Sequence, residues 1–115
     1  MFNFEKLLVW QQAILFNGTV YRMTRAFPGD ERFGLTHQIR RASASISSNI
    51  AEGSARPPAD YAKFLGYATG SLYEVVTQTI LARNEGFLLP ADFDELYREA
   101  EEISRMLSGL RKSLE

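Results

Sequence analysis

Apolar residues recur at spacings of three and four in four segments of the chain, the pattern of helices with one buried side. The last segment is the most regular. Phe93, Leu96, Ala100, Ile103, Leu107, Leu110 and Leu114 alternate the two spacings, placing two apolar positions in every seven, as at the seams of bundles and coiled coils. Leu88-Leu89-Pro90 opens this segment. Asp92, Asp94, Glu95 and Glu99 gather at its start and Arg111 and Lys112 near its end, which matches the charges of the helix dipole.

The other three segments are bounded by turn residues. The first runs from about Leu7 to Phe27, with Leu7, Trp10, Ile14, Tyr21 and Thr24 as its apolar line and Ala13 and Val20 beside it. Phe27-Pro28-Gly29-Asp30 stops it, because proline disfavours helix in the residue before it. The second runs from about Asp30 or Phe33 to Ala55 along Leu35, Ile39, Ala42, Ile46 and Ile50. Arg56-Pro57-Pro58 ends it, and Pro58 suits the first turn of the third helix, where its missing N–H costs little. The third continues to about Glu85 along Tyr61, Phe64, Leu65, Ala68, Leu72, Val75, Val76 and Thr79, and Gly86 follows as a left-handed C-cap. No stretch alternates with period two for long enough to suggest a sheet. Short connections favour antiparallel neighbours, so the prediction is all-α: an up-and-down antiparallel four-helix bundle in one domain spanning residues 1–115.

The second helix departs from the ordinary bundle pattern. From Ala42 to Ala55 it is made of Ala, Ser, Gly, Ile and Asn with Glu52 as its only full charge. Small, uncharged residues on nearly every side suggest neighbours on more than two sides. Beside its apolar line runs a polar one, Gln38, Arg41, Ser45, Asn49 and Glu52, on a single helical face. Such half-buried groups need partners. They fit either a hydrogen-bonded seam to another helix, with Arg41 paired to Glu74, or a contact with another subunit in which the polar network sets the register. Gly66 and Gly70, four apart on the third helix, suggest a close approach to a neighbouring helix.

Composition narrows the field further. With no cysteine the chain has no disulfide, thiolate zinc site or cysteine nucleophile. The start, Met-Phe-Asn-Phe-Glu-Lys, has no apolar run of the kind a secretory signal needs, and no stretch approaches the roughly 20 apolar residues of a membrane span. A cytoplasmic protein is expected. The net charge of −1 supplies no global attraction to nucleic acid, yet it is unevenly spread. Residues 1–56 carry seven Lys/Arg against four acids, and residues 57–115 carry six against ten. This asymmetry suits attraction between halves or subunits, or a local basic surface on the first two helices. Candidate nucleic-acid contacts are Arg22, Arg25, Arg32, Arg40 and Arg56, with Arg40 expected to point outward. Copies of a modest patch on an oligomer would bind by avidity.

Catalytic patterns are absent. His37 is the only histidine, so the paired Glu-x-x-His motifs of a carboxylate-bridged di-iron bundle cannot form. No serine sits in a nucleophile elbow, and neither G-x-x-x-x-G-K nor G-x-G-x-x-G occurs. Glu52 and Glu74 read more readily as partners of Arg41 than as an acid–base pair. Trp10, Tyr21, Tyr61, Phe64 and Phe93 lie on apolar lines and read as core rather than as a stacking platform for bases. The expectation is a non-enzymatic chain with no cofactor or metal.

Several runs carry a family resemblance. They are Leu8-Val9-Trp10-Gln11, Phe27-Pro28 with Glu31, Gly34-Leu35-Thr36, and above all Gln38-Ile39-Arg40-Arg41-Ala42, Ser45-Ile46 and Asn49-Ile50-Ala51-Glu52-Gly53. Phe64-Leu65, Ala68 and Gly70-Ser71-Leu72 with Glu74 follow in order. Over almost its whole length the chain resembles the proteins encoded within intervening sequences of bacterial 23S ribosomal RNA genes. The resemblance implies a four-helix bundle, often assembled as a homopentameric ring. It also implies similarity to the accessory proteins of diversity-generating retroelements, basic pentamers that bind nucleic acid and assist a reverse transcriptase. Most of the wider family has no established activity. Partners implied are therefore copies of the chain itself, and RNA, DNA or a protein. Ser47 stands where the family commonly has proline, Pro57-Pro58 where a serine cap is common, and the net charge is far less basic than that of the retroelement proteins.

Overall fold

The computed structural model describes all 115 residues. Four helices form: α1 (Leu8–Thr24), α2 (Leu35–Ser54), α3 (Pro58–Asn84) and α4 (Pro90–Ser113). Two short 3-10 turns, Asn3–Lys6 and Gly29–Glu31, precede α1 and α2. No strand is present. The 27 residues of α3 span about 40 Å at the helical rise of 1.5 Å per residue. They set the long axis of a molecule measuring 43 × 23 × 22 Å.

Each helix packs on its sequence neighbours and α1 closes the ring against α4, while the diagonal pairs stay apart. Side-chain pairings give the directions. Across α2 and α3, Gln38 meets Gln78, Ser45 meets Ser71 and Gly53 meets Phe64. Across α3 and α4, Gly66 faces Arg111 and Arg83 lies over Phe93. Across α1 and α4, Thr19 meets Glu99 and Arg22 meets Glu95. In every case one number rises as the other falls, so adjacent helices are antiparallel and the topology is up-down-up-down.

The predicted apolar lines of α2, α3 and α4 face inward, with Leu35, Tyr61, Phe64, Val76, Leu110 and Leu114 on them only partly buried. Ile39, Ala42, Ile46 and Ile50, Leu65, Ala68, Leu72, Val75 and Thr79, and Phe93, Leu96, Ala100, Ile103 and Leu107 are all buried. Burying each of the larger aliphatic side chains contributes about 1.5–3 kcal/mol relative to leaving it exposed. The first helix differs from expectation. Ala13, Val20 and Thr24 are buried as expected and Leu7 and Trp10 partly so, but the inner line is Val9, Ala13, Phe16, Val20 and Met23, turned by about one residue, or roughly 100°, from the expected line. Ile14 and Tyr21 are exposed. The reason lies in α1 itself. It carries apolar residues on several sides, with Leu8 and Leu15 exposed too, so spacing alone does not choose a face.

The helix ends follow their residues. Glu31 places Oε2 3.1 Å from the Leu35 N–H, capping α2, so α2 begins at Leu35 rather than at Asp30 or Phe33. Pro58 occupies the first turn of α3. At the far end of α3, Gly86 adopts φ +79°. The Gly86 N–H donates to Arg83 O and the Phe87 N–H to Ala82 O, the paired bonds of a left-handed C-cap. Ser47 leaves α2 unbroken, its hydroxyl donating to Ala44 O at 3.2 Å.

Candidate functional site

Two surfaces gather the residues singled out from the sequence. The first is the α2–α3 face. Ser45 Oγ and Ser71 Oγ are 2.9 Å apart, and Asn49 Nδ2 donates to the Ser45 carbonyl at 2.8 Å and to its Oγ at 3.0 Å. Gln78 Nε2 reaches Gln38 Oε1 across a long 3.4 Å, and Gln78 Oε1 is buried without a partner. The polar line of α2 is thus partly a hydrogen-bonded seam to α3. Its charged members are not part of that seam. The expected Arg41–Glu74 pair does not form within the chain: Arg41, Glu52 and Glu74 are exposed, and the two ion pairs of the molecule lie elsewhere. The cause is rotational. Arg41 and Glu52 lie further round α2 than Ser45 and Asn49, toward solvent. Around them the outer side of α2 is flat, with Ala44, Ser48 and Ala55 exposed.

Close packing on this face falls at a glycine that the spacing argument passed over. A Cβ on Gly53 would stand 2.7 Å from Phe64 Cβ and 3.1 Å from Tyr61 Cδ1. Gly53 continues the Ile46–Ile50 line of α2, and that position was the available signal. Gly66 and Gly70, expected to mark the close approach, do not. A Cβ on Gly66 would stand 3.5 Å from the Arg111 guanidinium, an ordinary contact, and Gly70 has open space around it. Beside Gly53, burial pushes the Tyr61 hydroxyl above its usual pKa, and that hydroxyl has no hydrogen-bond partner.

The second surface is the end of the bundle where α1 passes into α2. It brings together Arg25, Arg32 and Arg40, with Arg41 and His37 alongside, around two shallow grooves of about 290 and 210 Å3. Arg40 does not point outward as expected. Its Nε donates to Thr24 Oγ1 at 2.8 Å, its Nη2 reaches Tyr21 O at 3.4 Å, and its guanidinium lies 4.4 Å from the Tyr21 ring centre. The C-terminal end of α1 supplies acceptors that the sequence of α2 does not reveal. Tyr21, expected in the core, is the surface platform for this arginine. The remaining two candidates lie elsewhere. Arg22 is bonded to Glu95 at 2.7 Å on the α1–α4 side. Arg56 lies over the Phe64 ring beyond the other end of α2, about 30 Å away along a 20-residue helix.

On the α1–α4 side Glu99 is half-buried and accepts a bond from Thr19 Oγ1 at 3.4 Å. Burial holds its carboxyl above the usual range, the Thr19 hydroxyl lowers it, and the neighbouring Glu95 raises it. No three His, Asp or Glu side chains converge as metal ligands would. No helix is long and apolar enough to cross a membrane.

Fold and surfaces together define an all-helical bundle whose distinctive residues lie on outer faces rather than in a cleft. The chain belongs to the 23S rRNA-intervening sequence protein family, whose model matches residues 5–109. It is similar to a solved structure from Bacteroides thetaiotaomicron, a protein of unknown function from the S23 ribosomal protein family. That likeness has a TM-score of 0.84 at 20% identity and covers 91% of this chain and 99% of the other. It concerns the fold. No curated protein matches the chain.

Proposed function

We propose that this protein is a non-enzymatic assembly module, in which copies of the bundle join through the outer side of α2 and the adjoining side of α3. The observation that carries this reading is the state of Arg41, Glu52 and Glu74. Three charges of both signs stand exposed and unpaired, Arg41 and Glu52 among the small exposed residues Ala44, Ser48 and Ala55 of α2, and Glu74 between the exposed Tyr67 and Leu81 of α3. A face carrying both signs can be complementary to itself, and small side chains let two backbones approach. The homopentameric ring implied by the family resemblance is the assembly we assign. Cytoplasmic residence is part of the same reading.

Sedimentation velocity at micromolar concentration tests it. A single species several times the subunit mass is expected, and Arg41→Glu should shift it toward smaller species. A stable monomer overturns the reading.

A second reading, an accessory protein for RNA or DNA, is favoured by one observation. Arg25, Arg32, Arg40 and Arg41 share one end of the bundle. Repetition of that end around an assembly would add avidity.

A further inference from the structure

We propose that the basic end of the bundle is a binding site for a linear condensed-phosphate anion of the diphosphate or triphosphate class, held by Arg25, Arg32 and Arg40, which lie off the assembly face that carries Arg41. The proposal shares its surface with the nucleic-acid reading but does not require a nucleic acid.

Three features support a built site rather than a scatter of solvated charges. The first is the shape. The two grooves adjoin, sharing Arg32, Thr36 and Arg40 at four-residue intervals. Arg25 lines the groove beside the turn between α1 and α2, and His37 lines the other. A ligand touching Arg25, Arg32 and Arg40 lies along the part the two grooves share.

The second is the absence of internal neutralisation. Neither ion pair of the molecule involves these three arginines. Of the two acids close by in sequence, Asp30 and Glu31, neither forms an ion pair, and Glu31 has one carboxylate oxygen committed to the Leu35 N–H. Three guanidinium groups around one pair of grooves repel, and a multiply charged anion relieves that repulsion.

The third is preorganisation. The Thr24 hydroxyl, itself buried, donates to Val20 O at 2.7 Å and accepts from Arg40 Nε. The Tyr21 carbonyl and ring fix the same guanidinium from two more directions. Arg40 Nη1 makes no hydrogen bond, so that edge is free to donate to a ligand. An arginine held in place before binding loses less rotamer freedom when it binds.

The chemistry of the ligand follows. Guanidinium forks match both carboxylate and phosphate oxygens. A chain of linked phosphates carries several charges along a narrow, flexible line, which suits two adjoining shallow grooves. Such a chain could be free inorganic polyphosphate or the phosphate backbone of a single-stranded nucleic acid.

Calorimetric titration of the full chain at low salt separates these sources, using tripolyphosphate, citrate and a single-stranded RNA without a terminal triphosphate. Tripolyphosphate should bind once per subunit and at least about tenfold more tightly than citrate. The double variant Arg25→Ala/Arg32→Ala, at two exposed positions off the assembly face, should weaken it at least about tenfold, whereas Arg22→Ala, outside the grooves, should leave it unchanged. RNA that competes with tripolyphosphate would place both at the same arginines. Absence of tripolyphosphate binding, equal affinity for citrate, or indifference to the double variant overturns the proposal. RNA binding without tripolyphosphate binding overturns it too, while leaving the nucleic-acid reading intact.

Discussion

Along the α2–α3 seam the backbones come so close that Gly53 has no room for a Cβ, and the shortest polar contact between the helices joins two serine hydroxyls. Along the α1–α4 seam the contacts are made by longer side chains, Arg22 reaching Glu95 and Thr19 meeting Glu99. Both seams lie between antiparallel helices of one bundle, yet they tolerate change differently. Close backbones leave no slack, so the first seam depends on residue size. Long exposed side chains can re-aim, so the second depends on charge, and an exposed ion pair is worth only about 0–1 kcal/mol. Away from this seam the outer side of α2 is also built of small residues, Ala44, Ser48 and Ala55, whereas α3 exposes Tyr67, Tyr73 and Leu81.

The largest expected effect breaks the first seam by size. Gly53→Ala puts a methyl group 2.7 Å from Phe64 Cβ, and both atoms sit close to their backbones. Relief requires α2 and α3 to move apart, with a loss of about 2–3 kcal/mol of unfolding free energy, at the upper part of the range for overpacking. Gly70→Ala is the contrast. Its methyl group meets nothing within 4 Å, so helix propensity should make the variant about 0.5–1 kcal/mol more stable. Urea unfolding of the two variants checks the pair. Equal effects at both glycines would remove size as the basis of the α2–α3 seam.

A smaller effect tests whether the hydroxyl contact is a bonded pair or two independent groups. Ser45→Ala leaves Ser71 without its partner and removes one of the two acceptors of Asn49 Nδ2. A loss of about 1 kcal/mol is expected, in line with one buried hydrogen bond. Adding Ser71→Ala should cost much less than the two single changes together, because both partners are then gone. Strict additivity in this cycle would mean that the serines do not interact.

How much of this could be read from sequence differed between helices for a physical reason. In α4 the apolar residues fall on one line and charges fill the rest, so the buried face is unambiguous. In α1 the apolar residues surround the helix, and which of them is buried depends on the position of α2 and α4. Periodicity therefore gave a line turned by about one residue. The polar line of α2 was legible as a line. The assignment of its members was not, since pairing depends on the register with α3, which puts Ser45 against Ser71 and leaves Arg41 and Glu74 facing solvent. Arg40 shows the same limit. Its anchors, Thr24 and Tyr21, lie 16 and 19 residues away and come near only once α1 has ended and the chain has turned. Gly53 was within reach, because it extends an apolar line on which a missing side chain signals contact.

The smallest effect belongs to the second seam and is one of charge. Glu99 is half-buried, and its carboxyl is held above the usual range chiefly by burial, with Glu95 adding to the rise and Thr19 and Arg22 opposing it. The folded chain therefore binds the Glu99 proton more tightly than the unfolded chain does. Stability contributed by this group is present below the unfolded carboxylate pKa and is lost as pH rises through the elevated folded value. Above that window the ionised Glu99 lowers stability, by less than about 0.5 kcal/mol because solvent screens a side chain this exposed. Glu99→Gln keeps the shape and an acceptor for the Thr19 hydroxyl while removing the titration. The variant should melt slightly higher than the parent at neutral pH. The difference should shrink, through zero or beyond, as the solution is acidified across the carboxylate range. Thermal melts of both chains from mildly acid to neutral pH measure that difference directly, with all other carboxylates cancelling to first order. A constant offset at every pH would show that the α1–α4 seam responds to the shape of residue 99 rather than its charge, and would erase the contrast with the α2–α3 seam.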